Sequence, residues 1–436
     1  MDKLFSDFIG NCLTTALPPQ EFVPGESYIT SSGMILSLED RMAMIEQVFT
    51  RNGGIAARNV ARDFEYDLSK YIGVTSTVLT NSGSSANLLA LAALFAPELG
   101  SRVLQAGDEV ITCAVGFPTT VAPIVQLGLM PVFIDAEYGT YVPLPSVIEA
   151  AITEQTRVIF LAHTLGNPLD VLRIQEIADS YNLWVIYDSC DALGAKVRGK
   201  SVAEYGDIST YSFYPAHHIT MGEGGAVATS NPMLSKIIRS LRDWGRSCHC
   251  LPGQDNSCKA RFAHKNVDLP DGYDHKYVYQ RLGYNLKPTD IQAALGASQL
   301  KRADEFHETR IHNWGRLLKG LYKYHRYFIL PKSTLESDPA WFGFCLTVKP
   351  FAGFTRDELV AFLESKNIAT RPLFGGNLIR HPAFDDVTYQ VFGDLYNADN
   401  IMKSTFWVGV WQGITDEMID YMLAAFHEFM TGRNKR

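Results

Sequence analysis

Short apolar segments alternate with amphipathic segments through the central part of the chain. From about residue 100, β-branched runs of strand length are separated by stretches with helical periodicity. Buried strands joined by amphipathic crossovers, here at intervals of roughly 25 residues, are typical of βαβ units in a parallel sheet. Further strands are predicted at residues 207–213 and 225–230. The pattern therefore predicts a large doubly wound α/β domain with a mostly parallel sheet.

Beyond about residue 288 the pattern changes. A long amphipathic stretch, either one helix or two, runs from Asp290 to about Leu321. An alternating segment follows at 342–348, and helical periodicity returns at 357–366 and 416–430. This mixture predicts a smaller α+β unit.

The length and the change of pattern predict two domains. At 436 residues the chain exceeds the roughly 100–200 residues typical of one domain. The large domain is predicted to span residues 1–288, with an N-terminal arm and a cysteine-bearing excursion at 245–277. The small C-terminal α+β domain is predicted to span residues 289–436.

Composition and charge exclude several classes of protein. Apolar residues make up 46% and charged residues 20%, which is ordinary globular usage, and the net charge is −8. The absence of a run of five or six Lys or Arg argues against binding to nucleic acid or to an anionic membrane. The chain start lacks the features of a secretory signal, and the longest apolar stretch, Leu88 to Ala96, is about half of the roughly 18 residues that span a bilayer. We therefore expect a cytoplasmic protein.

Three motifs place polar groups where a cofactor can bind. Small residues from Asn81 to Asn87 precede an apolar helix, so their uncovered backbone N–H groups attract a phosphate; a simple N-cap is the alternative. Asp188 ends a predicted strand, where a carboxylate points into a ligand crevice and can keep a pyridinium nitrogen protonated; a capping or solvated Asp is the alternative. Ser212 ends a further strand and is followed by a tight loop and a Gly-rich turn that reaches Gly225.

In this order, and over nearly the whole chain, these motifs resemble the DegT/DnrJ/StrS family of sugar-nucleotide aminotransferases and dehydrases. The resemblance implies the aminotransferase-like fold type I of pyridoxal-phosphate enzymes. Asn285 matches an asparagine that reaches the cofactor phosphate from the neighbouring subunit, which implies a homodimer. The remaining implied cofactor contacts are to the phosphate from Gly83, Ser84 and Ser212, to the ring face from Phe117, and to the pyridinium nitrogen from Asp188.

The sequence departs from the family at the position of the Schiff-base lysine. Where the family's aminotransferases have lysine followed by histidine, this chain has His217 and His218. Because imidazole cannot bind pyridoxal phosphate covalently, pyridoxamine 5'-phosphate (PMP) held noncovalently is implied. Histidine titrates near neutral pH, so we predict that His217 is a catalytic base for an elimination and that His218 is structural. A catalytically inactive homologue is the alternative.

Four of the seven cysteines show a spacing that favours a metal site. Cys190, Cys248, Cys250 and Cys258 form the pattern C-x57-C-x-C-x7-C. Four thiolates suit an iron–sulfur cluster or a structural zinc, although zinc sites usually have wider cysteine pairs than C-x-C. A buried structural thiol is the alternative for Cys190. The spacing is similar to that of the family's iron–sulfur 3-dehydrases of 3,6-dideoxyhexose synthesis, which implies a [2Fe-2S] cluster.

This resemblance implies C3 dehydration of a CDP-sugar, CDP-4-keto-6-deoxyglucose. The electrons for reduction would come through the cluster from an NAD(P)H-dependent flavin and iron–sulfur reductase. Asp191 and Phe342 stand where the aminotransferases often have other residues, and Tyr214 lies three residues before His217 in the same loop. We expect these three residues to contact cofactor or substrate and to turn the reaction away from amino transfer. Arg371 is predicted to face the sugar, with an exposed ion-paired Arg as the alternative. Two other functions stay open: a cluster-free PMP-dependent sugar 3-dehydrase, and an inactive scaffold stabilised by zinc.

Overall fold

Helices and strands alternate through the central part of the computed structural model, which describes residues 3–16, 21–49, 59–248, 250, 256–257, 259–263 and 268–432. The helices are α1 (Lys3–Ala16), α2 (Leu38–Val48), α3 (Asn59–Tyr71), α4 (Gly83–Ala93), α5 (Pro118–Gln126), α6 (Pro145–Ala150), α7 (Val171–Tyr181), α8 (Pro232–Arg242), α9 (Asp290–Leu300), α10 (Ala303–Leu321), α11 (Arg356–Ser365), α12 (Tyr396–Ser404) and α13 (Asp416–Gly432). None of these helices combines the length and the apolarity that a membrane crossing requires.

The strands form one large sheet and two smaller ones. They are β1 (Ser76–Thr80), β2 (Glu109–Cys113), β3 (Met130–Ile134), β4 (Thr156–Ala162), β5 (Trp184–Asp188), β6 (Lys196–Val197), β7 (Lys200–Ser201), β8 (Ile208–Ser212), β9 (Gly225–Thr229), β10 (Phe328–Ile329), β11 (Ser337–Asp338), β12 (Gly343–Val348), β13 (Thr370–Arg371), β14 (Gln390–Val391) and β15 (Thr405–Gly409).

The large sheet has the order β1-β9-β8-β5-β4-β2-β3-β14. Its neighbours from β8 to β14 pair in parallel, and only β9 runs antiparallel, to both β8 and β1. Strands such as β5 are buried along their whole length because helices cover both faces of the sheet. The helix α4 is apolar on most of its surface and packs against α5, α8, β8 and β9. The predicted doubly wound, mostly parallel α/β fold is confirmed.

The C-terminal part builds a second sheet with its own core. Its strands β10, β12, β15 and β13 are antiparallel neighbours in that order. Apolar side chains of β12, β15, α10, α11 and α13 pack together in one cluster, which accounts for the predicted α+β character. The long helical stretch is two helices, α9 and α10, separated at Lys301 and Arg302.

Several contacts cross the predicted domain division at residue 288, among them those of α9, β11 and β14. The helix α9 packs against α2 and α3 of the N-terminal part. The short strand β14 joins the edge of the large sheet by pairing with β3. The division between residues 1–288 and 289–436 therefore stays a prediction.

Candidate active site

A cleft of about 760 Å³ lies where β4, β5 and β8 reach their carboxyl ends. Ligands of open α/β sheets bind at this edge. The second sheet contributes Trp407 to the wall, and Ser31 and Ser32 of the N-terminal arm also reach it. Predicted residues that the cleft brings together are Gly83, Ser84, Phe117, Asp188, Cys190, Asp191, Ser212, Tyr214, His217, Phe342 and Arg371.

Asp188 ends β5 and is held by three donors. Its Oδ2 accepts hydrogen bonds from Asn87 Nδ2 at 2.8 Å and from Thr120 Oγ1 at 2.7 Å. Its Oδ1 accepts one from the Cys190 backbone N–H at 3.1 Å. Although Asp188 is only 6% exposed, it lines the cleft. A carboxylate fixed in this way can accept a hydrogen bond from a protonated ring nitrogen.

The N-terminus of α4 is capped and also lines the cleft. Ser82 is the N-cap, and its side chain accepts a hydrogen bond from the Ser85 backbone N–H at 3.1 Å. Gly83 and Ser84, the first helical residues, line the cleft. A Cβ atom on Gly83 would lie 2.4 Å from Ser212 Cβ, so glycine is required for α4 to approach β8 this closely. Ser82 therefore caps the helix, while phosphate binding by Gly83 and Ser84 stays a prediction.

Phe117 is the aromatic residue at the start of α5. Its side chain is 52% exposed, which is unusual for a phenylalanine, and it lines the cleft. An edge-to-face contact with Phe374, with 6.0 Å between ring centroids, supports it from one side. The ring can therefore offer surface to a planar ligand.

His217 lies in the loop between β8 and β9. Its Nδ1 is 3.5 Å from Asp191 Oδ1, and its ring centroid is 5.4 Å from that of Phe342. Nδ1 is buried and has no hydrogen-bond partner among the described residues. His217 nevertheless lines the cleft.

His218, the next residue, is 2% exposed and does not belong to the cleft wall. Its Nε2 bonds to the Ala340 carbonyl oxygen at 2.9 Å. Burial, and then the positive charge of Arg310, lower the pKa of His218 well below its usual range. These features are those of a structural residue.

Tyr214 and Arg371 occupy the more open part of the cleft. Tyr214 is half exposed, and its backbone N–H approaches Ser212 Oγ at 3.5 Å. Arg371 lies on β13 and donates from Nη1 to the carbonyl oxygen of Thr370 at 2.8 Å. It makes no ion pair with a described carboxylate, so the interpretation as an ion-paired surface Arg is not favoured.

The structure does not bring the predicted cluster cysteines together among the residues it describes. Cys190 lines the cleft, where burial, followed by Asp188, raises the pKa of its thiol well above the usual range. The Cys250 backbone N–H donates to Cys248 Sγ at 3.5 Å, and Cys250 Sγ lies 2.9 Å from Ser257 Oγ. Cys258 lies outside the described residues. Within the described ranges no group of three or more His, Cys, Asp or Glu is arranged to hold a metal ion, so the cluster stays a prediction.

Asn285 lies outside the cleft. It is exposed and forms an antiparallel β-bridge with Asp243. An exposed position suits a residue that contacts a second subunit, but its predicted role across a dimer interface stays a prediction.

Several residues in or beside the cleft were not predicted from the sequence. His163 directly follows β4 and is fully buried; its Nδ1 accepts a hydrogen bond from the Leu169 backbone N–H at 3.0 Å, and burial lowers its pKa to about 3. Asn87 and Thr120 hold Asp188, and Trp407 packs edge-to-face on Phe342 at 5.6 Å. Like Asp188, His163 lies at the carboxyl end of a parallel strand, where ligands bind, so it could have been predicted in the same way. The other three are positioned by long-range packing that no local pattern indicates.

The fold and this site define an enzyme family. The chain belongs to the DegT/DnrJ/EryC1/StrS aminotransferase family, whose sequence profile matches residues 37–427. The family predicted from the motifs is therefore confirmed.

Two relatives match almost end to end. The chain is 50% identical over 424 residues to the lipopolysaccharide biosynthesis protein RfbH of Salmonella typhimurium, covering 97% of each chain. It is 53% identical over 409 residues to dTDP-4-dehydro-2,6-dideoxy-D-glucose 3-dehydratase of Saccharopolyspora spinosa, covering 94% of this chain and 88% of the relative.

Solved structures of a third enzyme share the fold. A mutant of GDP-4-keto-6-deoxymannose-3-dehydratase with bound GDP-perosamine superposes with a TM-score of 0.82 at 28% identity, over 92% of this chain and 100% of that one. The E. coli enzyme with bound hydrated PLP gives the same TM-score at 27% identity, over 92% and 99% of the two chains. These structures confirm the aminotransferase-like fold predicted from the sequence.

Proposed function

We propose that this protein is a PMP-dependent sugar-nucleotide 3-dehydrase that acts on CDP-4-keto-6-deoxyglucose, the activity of a CDP-6-deoxy-L-threo-D-glycero-4-hexulose-3-dehydrase. Electrons from an NAD(P)H-dependent flavin and iron–sulfur reductase, passed through a [2Fe-2S] cluster, complete the conversion to a 3,6-dideoxy sugar nucleotide. The observation that carries the proposal is His217, which stands in the cleft where the family's aminotransferases have lysine. The broader class, a sugar-nucleotide 3-dehydrase enzyme, is confirmed by the relatives.

The residues of the cleft fit pyridoxamine phosphate. Asp188, fixed by three donors, would pair with the ring nitrogen, and Phe117 would cover a ring face. Gly83, Ser84 and Ser212 converge at the N-terminus of α4 and would hold the phosphate. Relatives of this fold have been solved with PLP bound, which supports a cofactor of this kind. When bound, pyridoxamine phosphate supplies an amine that can condense with a ketone and a ring that withdraws electrons.

His217 would hold and move the proton. Because its Nδ1 faces Asp191, its Nε2 is the nitrogen left to accept a proton from a ligand in the cleft. Tyr214 and Phe342 surround this position and would bind and orient the sugar and cofactor, whereas Asp191, predicted from the sequence as a cofactor contact, would act through His217. Arg371, which has no carboxylate partner among the described residues, would be available to an anionic or hydroxyl-rich group of the substrate.

The cluster and the partners are supported by other residues. The proposal of a [2Fe-2S] cluster rests on the cysteine spacing, on the proximity of Cys248 to Cys250, and on the contact of Cys250 with Ser257, the neighbour of Cys258. The homodimer rests on the exposed Asn285. A cytoplasmic location, and the division into domains at residue 288, belong to the same proposal.

A second substrate is favoured by a specific observation. The 53% identical relative is named for dTDP-4-dehydro-2,6-dideoxy-D-glucose, whereas the solved structures belong to an enzyme named for a GDP-sugar. The decisive experiment therefore offers the CDP-, dTDP- and GDP-linked 4-keto sugars in parallel with PMP and a reductase, and follows loss of the C3 hydroxyl by NMR. We expect turnover of the CDP-sugar. If only the dTDP-sugar reacts, the proposed CDP-sugar substrate is wrong and the dTDP-sugar replaces it. If none of the three reacts, the proposed function is wrong.

A separate experiment tests the cluster. Reconstituted protein should absorb visible light and give an EPR signal after reduction with dithionite, and Cys248→Ser should abolish both. Cys345→Ser is the matched control, because Cys345 is buried within β12. A colourless protein containing stoichiometric zinc would contradict the redox proposal.

A further inference from the structure

Arg310 is a buried cation without a direct carboxylate partner among the described residues. It lies on α10, is 0% exposed, and is among the largest side chains that the fold buries completely. Its Nη2 donates to the His217 carbonyl oxygen at 3.3 Å, and its Nη1 donates to the Phe342 carbonyl oxygen at 3.4 Å. Its Nε has no hydrogen-bond partner in the part of the chain that the structure describes.

Burying this guanidinium is costly, and the fold offers little compensation. Desolvation lowers the pKa of Arg310 to about 9, opposed only by the more distant charge of Asp191. A buried charge without a close partner normally destabilises a protein. An arginine retained at such a position calls for a role that a well-packed apolar side chain could not fill.

The two carbonyl groups belong to separate segments of the cleft wall. His217 lies in the loop after β8, whereas Phe342 directly precedes β12. Their rings face each other at 5.4 Å, and the Arg310 Cζ atom lies 5.7 Å from the Phe342 ring centroid. The guanidinium therefore connects the two segments through their backbone carbonyl groups. Because the guanidinium is planar and rigid, it can hold two hydrogen-bond acceptors in a fixed geometry.

We propose that Arg310 is a positioning residue that fixes the His217 and Phe342 backbones, so that the His217 imidazole is presented to the ligand in the cleft. This inference rests on the proposed function of His217 as a base. A purely structural Arg310 would stabilise the fold without affecting the reaction.

Arg310→Lys separates these roles, because lysine keeps the charge but is a flexible point donor that cannot hold both carbonyl groups in register. Misplacement of a catalytic group by about 1 Å costs roughly a hundredfold in rate, so kcat should fall by about that factor while KM changes little. Arg316→Lys is the matched control: it lies on the same helix and pairs at the surface with Asp420. An Arg310→Lys protein with a lower melting temperature but normal kcat would overturn the proposal.

A second readout needs no dehydrase activity. In a His217→Lys background, the lysine should react with pyridoxal phosphate to give a yellow absorbance band. We expect Arg310→Lys, but not Arg316→Lys, to slow the appearance of that band roughly tenfold or more, since the reacting amine is no longer held in place. If the band depends on Arg310 while the unmutated protein converts no sugar nucleotide, the positioning role stands and the proposed function fails. If Arg310→Lys and Arg310→Met both fail to fold, Arg310 serves stability and the positioning role is refuted.

Discussion

Two adjacent histidines of one loop belong to two different regions of the molecule. His217 faces the cleft, with Asp191 3.5 Å from its Nδ1. His218 faces the interior, where it bonds to the Ala340 carbonyl oxygen, and burial holds its pKa well below the usual range. The same side chain, one residue apart, thus lines the cleft in one region and is kept neutral in the interior in the other. Their roles follow from environment and not from residue type.

The two regions also differ in how they are held. The cleft side of the loop relies on a few directional contacts, among them Arg310 on the His217 carbonyl oxygen. The interior side is packed among buried apolar residues such as Phe213 and Ile219. Substitutions should therefore alter the reaction on one side and stability on the other.

The largest expected effect is that of His217→Asn on catalysis. Removal of a general base costs about 10² to 10⁴ in rate, and we expect kcat for sugar dehydration to fall by that factor with little change in melting temperature. His218→Asn is the comparison, and its kcat well below the melting temperature should stay within a few-fold of the unmutated value. The assignment of roles is reversed if His218→Asn loses activity and His217→Asn does not.

Lysine substitutions sharpen the same comparison by spectroscopy. His217→Lys should give a yellow band with pyridoxal phosphate, because position 217 lines the cleft. His218→Lys should give none and should lower the free energy of unfolding by about 3–5 kcal/mol, since an unpaired ammonium would be buried beside Arg310. A yellow band in His218→Lys alone would show that the two positions are misassigned.

Much of this region could be predicted from the sequence. Asp188 and Ser212 end strands, and parallel strands bring their carboxyl ends to one edge, so the pattern alone places both residues at one site. The replacement of the family's lysine by His217 can be recognised within one short motif, without knowledge of the tertiary structure. Gly83 could also be predicted from the sequence, because a small residue at the start of a helix indicates that another element, here β8, approaches it closely.

Other features could not be predicted, for physical reasons. Arg310 is an ordinary polar position on an amphipathic helix until tertiary packing brings α10 beneath the loop of His217. The strands β13 and β14 have two residues each, too few to show a period of two. Ser31 and Ser32 reach the cleft because the arm is held against the C-terminal part of the chain, where Ile29 bridges Ile368. Each of these depends on contacts between segments far apart in sequence.

A smaller effect is expected on the interior side. His218→Phe keeps an aromatic ring, although a larger one, but leaves the buried Ala340 carbonyl oxygen without its donor, which should reduce the free energy of unfolding by about 1–3 kcal/mol. Chemical denaturation measures this directly. His312→Phe provides the control: His312 is an exposed histidine paired with Asp416, and its loss should cost no more than about 0.5 kcal/mol. Equal losses in both variants would mean that the Ala340 bond contributes nothing specific.

The smallest effect concerns Asp191 on the cleft side. At 3.5 Å from His217 Nδ1 it lies beyond hydrogen-bond distance, so it orients the imidazole by charge alone. We expect Asp191→Asn to lower kcat by about fivefold, equivalent to about 1 kcal/mol, the upper end for weak ion pairs. A double-mutant cycle identifies the route: because Asp191 acts through His217, the same substitution should have no effect on the residual rate in a His217→Asn background. A full fivefold loss in that background would show that Asp191 contacts the ligand itself, and the pairing of the two residues would then be incidental to the reaction.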